Sequence, residues 1–392
     1  MDTPRLPLLT VAIVILAPLT FLSAAEGDRL PGLLWIGVAL GVTLYHAAFG
    51  FTSAYRRAFV DKDLSGLAAQ AVMLILAMLL FAPVLAQGQA FGQGVGGAIA
   101  PVGLSMAFGA FLFGMGMQLG DGCASGTLYT AGGGSARAAL VLLFFCGGAF
   151  WGSLDLAWWE SLAGTGIGSV SLGQALGWEA ALPLQIGALG LILLLFRAAG
   201  GRLRRALWWD GDFSMDRLIR GPWPLLQGAI LLALLNWLTL VVAGHAWSIT
   251  WAFSLWAAKG ALLMGWMPEA GSFWSGPFQQ AALARPVWAD STSLMNIGLL
   301  GGALIAAALA GKTLTPLPRD RRNLAAAVMG GLAMGYGARL AYGCNIGAFF
   351  SGIASGSLHG WVWLLCALPG NFIGVRLRPL FNLSNQSTEI RP

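Results

Sequence analysis

Residues 114–135 read GMGMQLGDGCASGTLYTAGGGS, and residues 335–357 read GYGARLAYGCNIGAFFSGIASGS. At a constant offset Gly114 falls on Gly335, Gly116 on Gly337, Gly122 on Gly343, Cys123 on Cys344 and Gly126 on Gly347. Each copy reads as the end of an apolar helix, a glycine-rich bend carrying one cysteine, and a segment of small residues. The repetition points to two related halves, each built around such a bend.

The surroundings of the bends are apolar. Of 392 residues, 57% are hydrophobic and 10% charged, and the mean hydropathy is +0.74. Soluble domains carry about a quarter of their residues as charges. Several stretches here reach the ~20 apolar residues that take a helix across the hydrocarbon layer. The fold class is therefore an all-α polytopic membrane protein. The 56 glycines suit close helix packing, and the 17 tryptophans suit interfacial belts. The net charge of +6 comes from arginines in connecting loops and does not signal nucleic acid. Four cysteines without paired spacing and three separated histidines give no disulfide framework, metal site or cofactor. A GxxxxGK[ST] loop is absent, so the chain carries no ATPase of that type.

Taken in order, residues 8–22 form a first apolar stretch ending near Ser23-Ala24-Ala25. That end resembles a signal-peptide cleavage site, but with only Arg5 before it an uncleaved first helix is favoured. Spans follow near 31–52, 64–86, 98–119, 137–156, 179–199, 223–243, 293–311, 323–341 and 357–376. Four arginine- and lysine-rich segments, at 56–62, 197–220, 312–322 and 376–378, are assigned to the cytoplasm. The loop at 157–178 has Glu160 and no basic residue, and is assigned outside. Parity then requires that one of three segments between 223 and 311 enter and leave on the same side. The short stretch 250–267, which contains Lys259, is chosen. A weaker echo of FTSAY (51–55) in ITWAF (249–253) agrees with this. The expected organisation is a first segment 1–30, a repeat at 31–156, a linker span and basic loop at 157–222, a repeat at 223–376 and a cytoplasmic tail at 377–392. Counting crossings puts the Cys123 bend on the inner side and the Cys344 bend on the outer side, so the halves are inverted. Inverted repeats are a recurring plan of transporters, with the substrate site near the midplane where the halves meet.

The composition of the bends suits a sulfur-containing anion. Gly122, Gly126, Gly343 and Gly347 permit tight turns and close backbone approach. Segments starting near Ser125 and Ile346 can begin short helices, whose N-termini present free N–H groups and partial positive charge. The amides near Ser125 and Asn345 can hold oxygens, while the thiols of Cys123 and Cys344 meet a terminal sulfur. The competing reading of these glycines is simple helix packing. Arg339 either draws in an anion, pairs with a carboxylate or snorkels to the interface. Lys259 has the same alternatives. Asp121 is the matching charged residue near Cys123. Cys146, Cys366, His46, His245 and His359 read as packing or interfacial residues.

GMGMQLGDGCASG and GYGARLAYGCNIG resemble the paired glycine–cysteine motifs of the YeeE/YedE family of bacterial inner-membrane proteins, and ITWAFSLWAAK (249–259) resembles a further family segment. The resemblance extends over about residues 31–376. It implies an hourglass-shaped inverted-repeat bundle with re-entrant loops and half-helices, thiosulfate transport, and Cys123 and Cys344 lining the path. It also implies cooperation with a small cytoplasmic sulfur carrier of the TusA type. Many relatives continue the motif as GCTSGH, whereas this chain has Gly-Cys-Ala-Ser-Gly-Thr and Gly-Cys-Asn-Ile-Gly-Ala. The leading expectation is a multi-pass inner-membrane importer of thiosulfate or a related sulfur anion, with no enzymatic step. The rivals are a carrier of selenium compounds, sulfide or persulfide, a membrane-embedded sulfur-transfer enzyme, and a structural subunit.

Overall fold

The computed structural model describes residues 4–162, 166–211 and 213–385. The C-terminal part of the expected tail, 386–392, lies outside the described residues. The first half runs α1 Leu6–Ala24, α2 Leu30–His46, α3 Phe51–Val60, α4 Ser65–Gln87, α5 Leu104–Gly120, α6 Ala124–Gly132 and α7 Ala136–Leu154. A connecting region holds α8 Leu156–Ser161, α9 Leu172–Leu176, α10 Trp178–Ala198 and α11 Met215–Arg220. The second half runs α12 Leu225–Ala243, α13 Thr250–Leu263, α14 Pro277–Ala284, α15 Ser291–Leu309 and α16 Arg321–Leu340. It continues with a π-helical turn Asn345–Phe350, α17 Ser351–Ala354 and α18 Leu358–Leu377. Among the described residues, nine helical stretches are long and apolar enough to cross a membrane. The chain is an all-α polytopic membrane protein built as an inverted-repeat helical bundle.

The inversion is visible in the packing. Helix α7 packs on α16 as α18 packs on α5, and α2 packs on α15 as α12 packs on α4. Helix α13 lies on α7 as α3 lies on α18. The peripheral helices obey the same exchange, with α1 on α15 and α10 on α4. At residue level, a Cβ on Gly114 would collide with the carbonyl of Ala367, and one on Gly335 with that of Phe145. Gly148 against Leu332 is matched by Gly370 against Phe111. Small residues are needed here because apolar burial gives helices little reason to associate inside lipid; close backbone contact must supply it.

Helices α5 and α16 cross at the centre of this arrangement. A Cβ at Gly109, early in α5, would stand 2.6 Å from the carbonyl of Gly337, late in α16. Gly116, late in α5, faces Met334 and Gly330. The two helices therefore run in opposite directions, and their cysteine bends leave from opposite ends.

Two details differ from the sequence expectation. The span expected from residue 98 begins as helix only at Leu104, because Pro101–Val102 pairs as a short strand with Gly168–Ser169. The second bend does not continue as a regular α-helix. From Cys123 to the N-cap Ser135 of α7 is one residue shorter than from Cys344 to the N-cap Ser357 of α18. The extra residue is absorbed in the π-helical turn, a device that recurs at functional sites.

Segment 250–263 is a short helix, and α14 follows it. The connection folds back on α7 through Trp274, whose Nε1 donates to Ser153 Oγ at 2.7 Å. Trp251 Nε1 donates to Asp290 at 2.9 Å.

Candidate functional site: paired thiol bends at the repeat interface

Each bend is made by a left-handed residue followed by glycine. Asp121 (φ +64°) ends α5, and its repeat counterpart Tyr342 (φ +57°) follows α16. Gly343 has φ +152°, where a side chain would be strained. Both cysteines then occupy helix N-cap positions. Cys123 Sγ accepts from Gly126 N–H at 3.4 Å and lies 3.3 Å from Ser125 Oγ. Cys344 Sγ accepts from Ile346 N–H at 3.4 Å. A sulfur that accepts from the backbone still has its S–H to donate, in Cys123 either to Ser125 Oγ or outward. Both residues are buried, at 1% and 0% exposure. The thiols lie within electrostatic reach of each other, and α6 packs against the π-helical turn.

The structure adds a second pair of half-helices. The N-terminus of α3 brings the Phe51 backbone against Cys123. Just before α13, Ser248 Oγ would be 3.4 Å from a Cβ on Gly347. One turn into α3, Tyr55 faces both Cys123 and Asn345. Thr52 Oγ1 is buried without a hydrogen-bond partner, and the Tyr55 hydroxyl and the Asn345 amide are buried facing each other, without a well-formed hydrogen bond. Native interiors rarely leave such groups unpaired, and several together mark a place built to bind something polar. Of these, only Asn345 stood out in the sequence. Thr52, Tyr55 and Ser248 were missed, although the FTSAY/ITWAF echo located their segments.

Polar clamps fix the half-helices. Gln118 Nε2 donates to Thr52 O at 3.1 Å and to Asn371 Oδ1 at 2.9 Å. In the other repeat, Asn236 Oδ1 accepts from Trp247 N–H at 2.9 Å, and Ser351 Oγ donates to Trp247 O at 2.7 Å. Asn296 Nδ2 donates to Ile249 O at 3.0 Å, holding the start of α13.

Three arginines hold the end of α5. Arg56 and Arg378 bridge Asp121 Oδ1 at 2.7 and 2.8 Å. Arg378 also donates to Gln118 O at 2.6 Å. Arg137 donates to Gly120 O at 2.7 Å and to Leu119 O at 2.8 Å. Cations are favoured at these carbonyls, where the helix dipole is negative.

The structure does not bring the other two predicted cations to the thiols. Arg339 sits in the last turn of α16 with its guanidinium 4.0 Å from the Phe273 ring centroid. Its Nε is buried without a hydrogen-bond partner, and Glu160 lies within electrostatic reach. Lys259 donates to the carbonyls of Leu283 and Arg285 at 2.7 and 2.6 Å. It stands ten residues from Ile249, about 15 Å along a helix. Gly122 and Gly126 flank Cys123 as expected, and Gly343 and Gly347 flank Cys344.

On the arginine-rich face a cavity of about 400 Å³ opens between α2, α6 and the loops at 220–222 and 310–315, with Tyr129 and Thr130 lining it. At the position related by the repeat, the hairpin after α4 lies over the bundle. Gly96 N–H donates to Gly244 O at 2.9 Å, Ala98 N–H to Ser355 Oγ at 2.9 Å, and Gln93 Nε2 to Val241 O at 2.7 Å. The two ends of the molecule therefore differ in access.

Known transport proteins are similar to this chain in sequence. The thiosulfate transporter TsuA of Spirochaeta thermophila is 28% identical over 348 residues, 86% of this chain and 96% of TsuA. The probable transporter YedE of Escherichia coli K12 is 32% identical over 163 residues, 41% of this chain and 40% of that protein. The Salmonella typhimurium YedE is 35% identical over 144 residues, 36% of this chain and 35% of that protein. The chain thus spans less than half the length of the YedE proteins and nearly all of TsuA. The profile of the family described as sulphur transport matches residues 46–373, from the end of α2 to the last turns of α18. The chain belongs to that sulphur-transport family, the YeeE/YedE family its glycine–cysteine bends resemble.

Proposed function

We propose that this chain imports thiosulfate or a closely related sulfur-containing anion across the bacterial inner membrane. The repeats are taken as residues 31–156 and 223–376, with the arginine-rich face in the cytoplasm. The anion approaches past Arg339 and meets Cys344, Asn345 and the amide of Ile346. It then passes to Cys123, Ser125 and the amide of Gly126. The thiols act as hydrogen-bond partners for the terminal sulfur, and the half-helix N-termini favour the negative charge. Tyr55 and Thr52 supply hydroxyls at the hand-over. Lys259 takes no part in this path. A TusA-type carrier in the cytoplasm is the proposed acceptor.

One observation carries the reading: two buried thiols on bends from opposite ends of an antiparallel helix pair lie within electrostatic reach, among unpaired polar groups. Membership in a transport family gives the sulfur-transfer-enzyme alternative no support. Uptake of radiolabelled thiosulfate into proteoliposomes tests the reading. Cys123→Ala and Cys344→Ala should each abolish uptake while thermal unfolding stays unchanged. Unimpaired uptake in both variants refutes it. Co-purification with a TusA-type protein tests the acceptor.

A further inference from the structure

Behind the Cys123 bend, on the arginine-rich face, lies a cavity of about 80 Å³ bounded by Asp121, Gly122, Thr127, Thr130, Ser135 and Arg137. One water needs on the order of 15 Å³ of such space, so the cavity holds several waters or one small oxyanion. Thr127 is 2% exposed, and its Oγ1 has no hydrogen-bond partner. Helix α7, 19 residues long, starts beside the cavity at Ser135, so its positive end faces it. Arg56, Arg137 and Arg378 gather around a single carboxylate, Asp121, which also lines the cavity and is bridged by Arg56 and Arg378. The local balance is positive.

The second repeat shows that this pocket is no automatic product of the bend. Ser135 and Ser357 are the N-caps of equivalent helices. Counted from them, His359 stands where Arg137 does, and Gly352 where Thr130 does. There a Cβ on Gly352 would lie 2.8 Å from the imidazole Cε1 of His359, so the ring fills the space. The cradle exists at one end of the molecule only.

The geometry points to an oxyanion subsite at the inner exit, separate from the thiols, in which the Thr127 hydroxyl and the Arg137 backbone N–H bind the oxygens of a tetrahedral anion, the neighbouring amides of Ala136 and Ala138 being taken by Thr315 O and Ser135 Oγ. The assignment to an exit rests on the transport reading above. Because this pocket contacts oxygens and not a terminal sulfur, it accepts sulfate as well as thiosulfate. Arg137 and its neighbours supply the field while remaining tied to α5.

Binding of inorganic sulfate to the purified full chain in nanodiscs tests it. The expected result is saturable binding. It should weaken about tenfold or more in Thr127→Val, as loss of a hydrogen bond to a charged group implies. Thr127→Ser should restore it. Thermal unfolding of the same samples checks the fold, and Thr127→Ala replaces the valine variant if that one unfolds. Absence of sulfate binding in the wild type, or binding unchanged in the Thr127 variants, overturns the subsite. Thr127-dependent sulfate binding in a protein that fails to take up thiosulfate would count against the transport reading and leave the pocket standing.

Discussion

Gly122→Ala and Gly343→Ala make the same chemical change at positions related by the repeat, and the structure assigns them different costs. Gly343 has φ +152°, and a residue with a side chain there costs about 1–3 kcal/mol. Its Cβ would stand 2.7 Å from Ala348 N and 3.1 Å from Gly347 C. Both contacts are backbone and cannot swing aside, which adds about 1–3 kcal/mol. A Cβ on Gly122 would meet Thr127 N at 3.1 Å, a contact relieved by a shift of a few tenths of an ångström. That variant should cost about 1 kcal/mol. The difference, about 1–5 kcal/mol, corresponds to at least roughly fivefold in the population of the intact bend. Apparent affinity scales with the fraction of protein in the competent state. Thiosulfate uptake in proteoliposomes should therefore fall about tenfold or more in Gly343→Ala and about twofold in Gly122→Ala, with both cysteines present. Equal losses in the two variants would refute the argument that the second bend is the more constrained.

Asn345→Leu should cut uptake about tenfold or more while changing thermal stability by about 1 kcal/mol or less, because it removes a poorly satisfied buried amide but leaves the Tyr55 hydroxyl without it. Unaltered uptake would exclude the amide from the path. Lys259→Met should destabilise by about 1–3 kcal/mol through loss of two carbonyl contacts, with KM for thiosulfate within about twofold of wild type. A much larger rise in KM would return Lys259 to the site. Asp63 lies in the loop between α3 and α4. Burial raises its pKa, but hydrogen bonds from Ser65 and Arg204 and the charge of Arg205 outweigh this and hold it below the usual carboxylate range. A depressed native pKa stabilises fully above the unfolded value near ~3.9, and the stabilisation is lost as pH falls through the native value. The gap in unfolding temperature between wild type and Asp63→Asn should be full at neutral pH and shrink below about pH 4. A gap that persists undiminished to lower pH would refute the linkage.

The hydropathy of the sequence by itself determined the class and the placement of nine of the ten expected spans, the tenth, 98–119, being the shorter helix α5 of 17 residues, because the thickness of the hydrocarbon layer fixes how long an apolar run must be. Loop arginines and parity singled out 250–267 as the stretch that does not cross, and α13 there is not among the nine described helices long and apolar enough to do so. The repeated Gly–Cys stretch located both bends, since a tight turn and a helix N-cap are local features written in adjacent residues. What only the tertiary structure decided is who meets whom. Arg378 reaches Asp121 across 257 positions, and Gln118 reaches Asn371 across 253. Arg339 lies over Phe273 and Lys259 on the carbonyls of Leu283 and Arg285, where the sequence had left anion contact, carboxylate pairing and snorkelling open. Tyr55 joins the bends because α3 packs on α18, and a cavity stands beside Thr127 whereas His359 fills the corresponding space of the other repeat. Such pairings follow from the angles at which glycine-lined helices cross, and those angles depend on contacts between segments hundreds of residues apart, which no local pattern records.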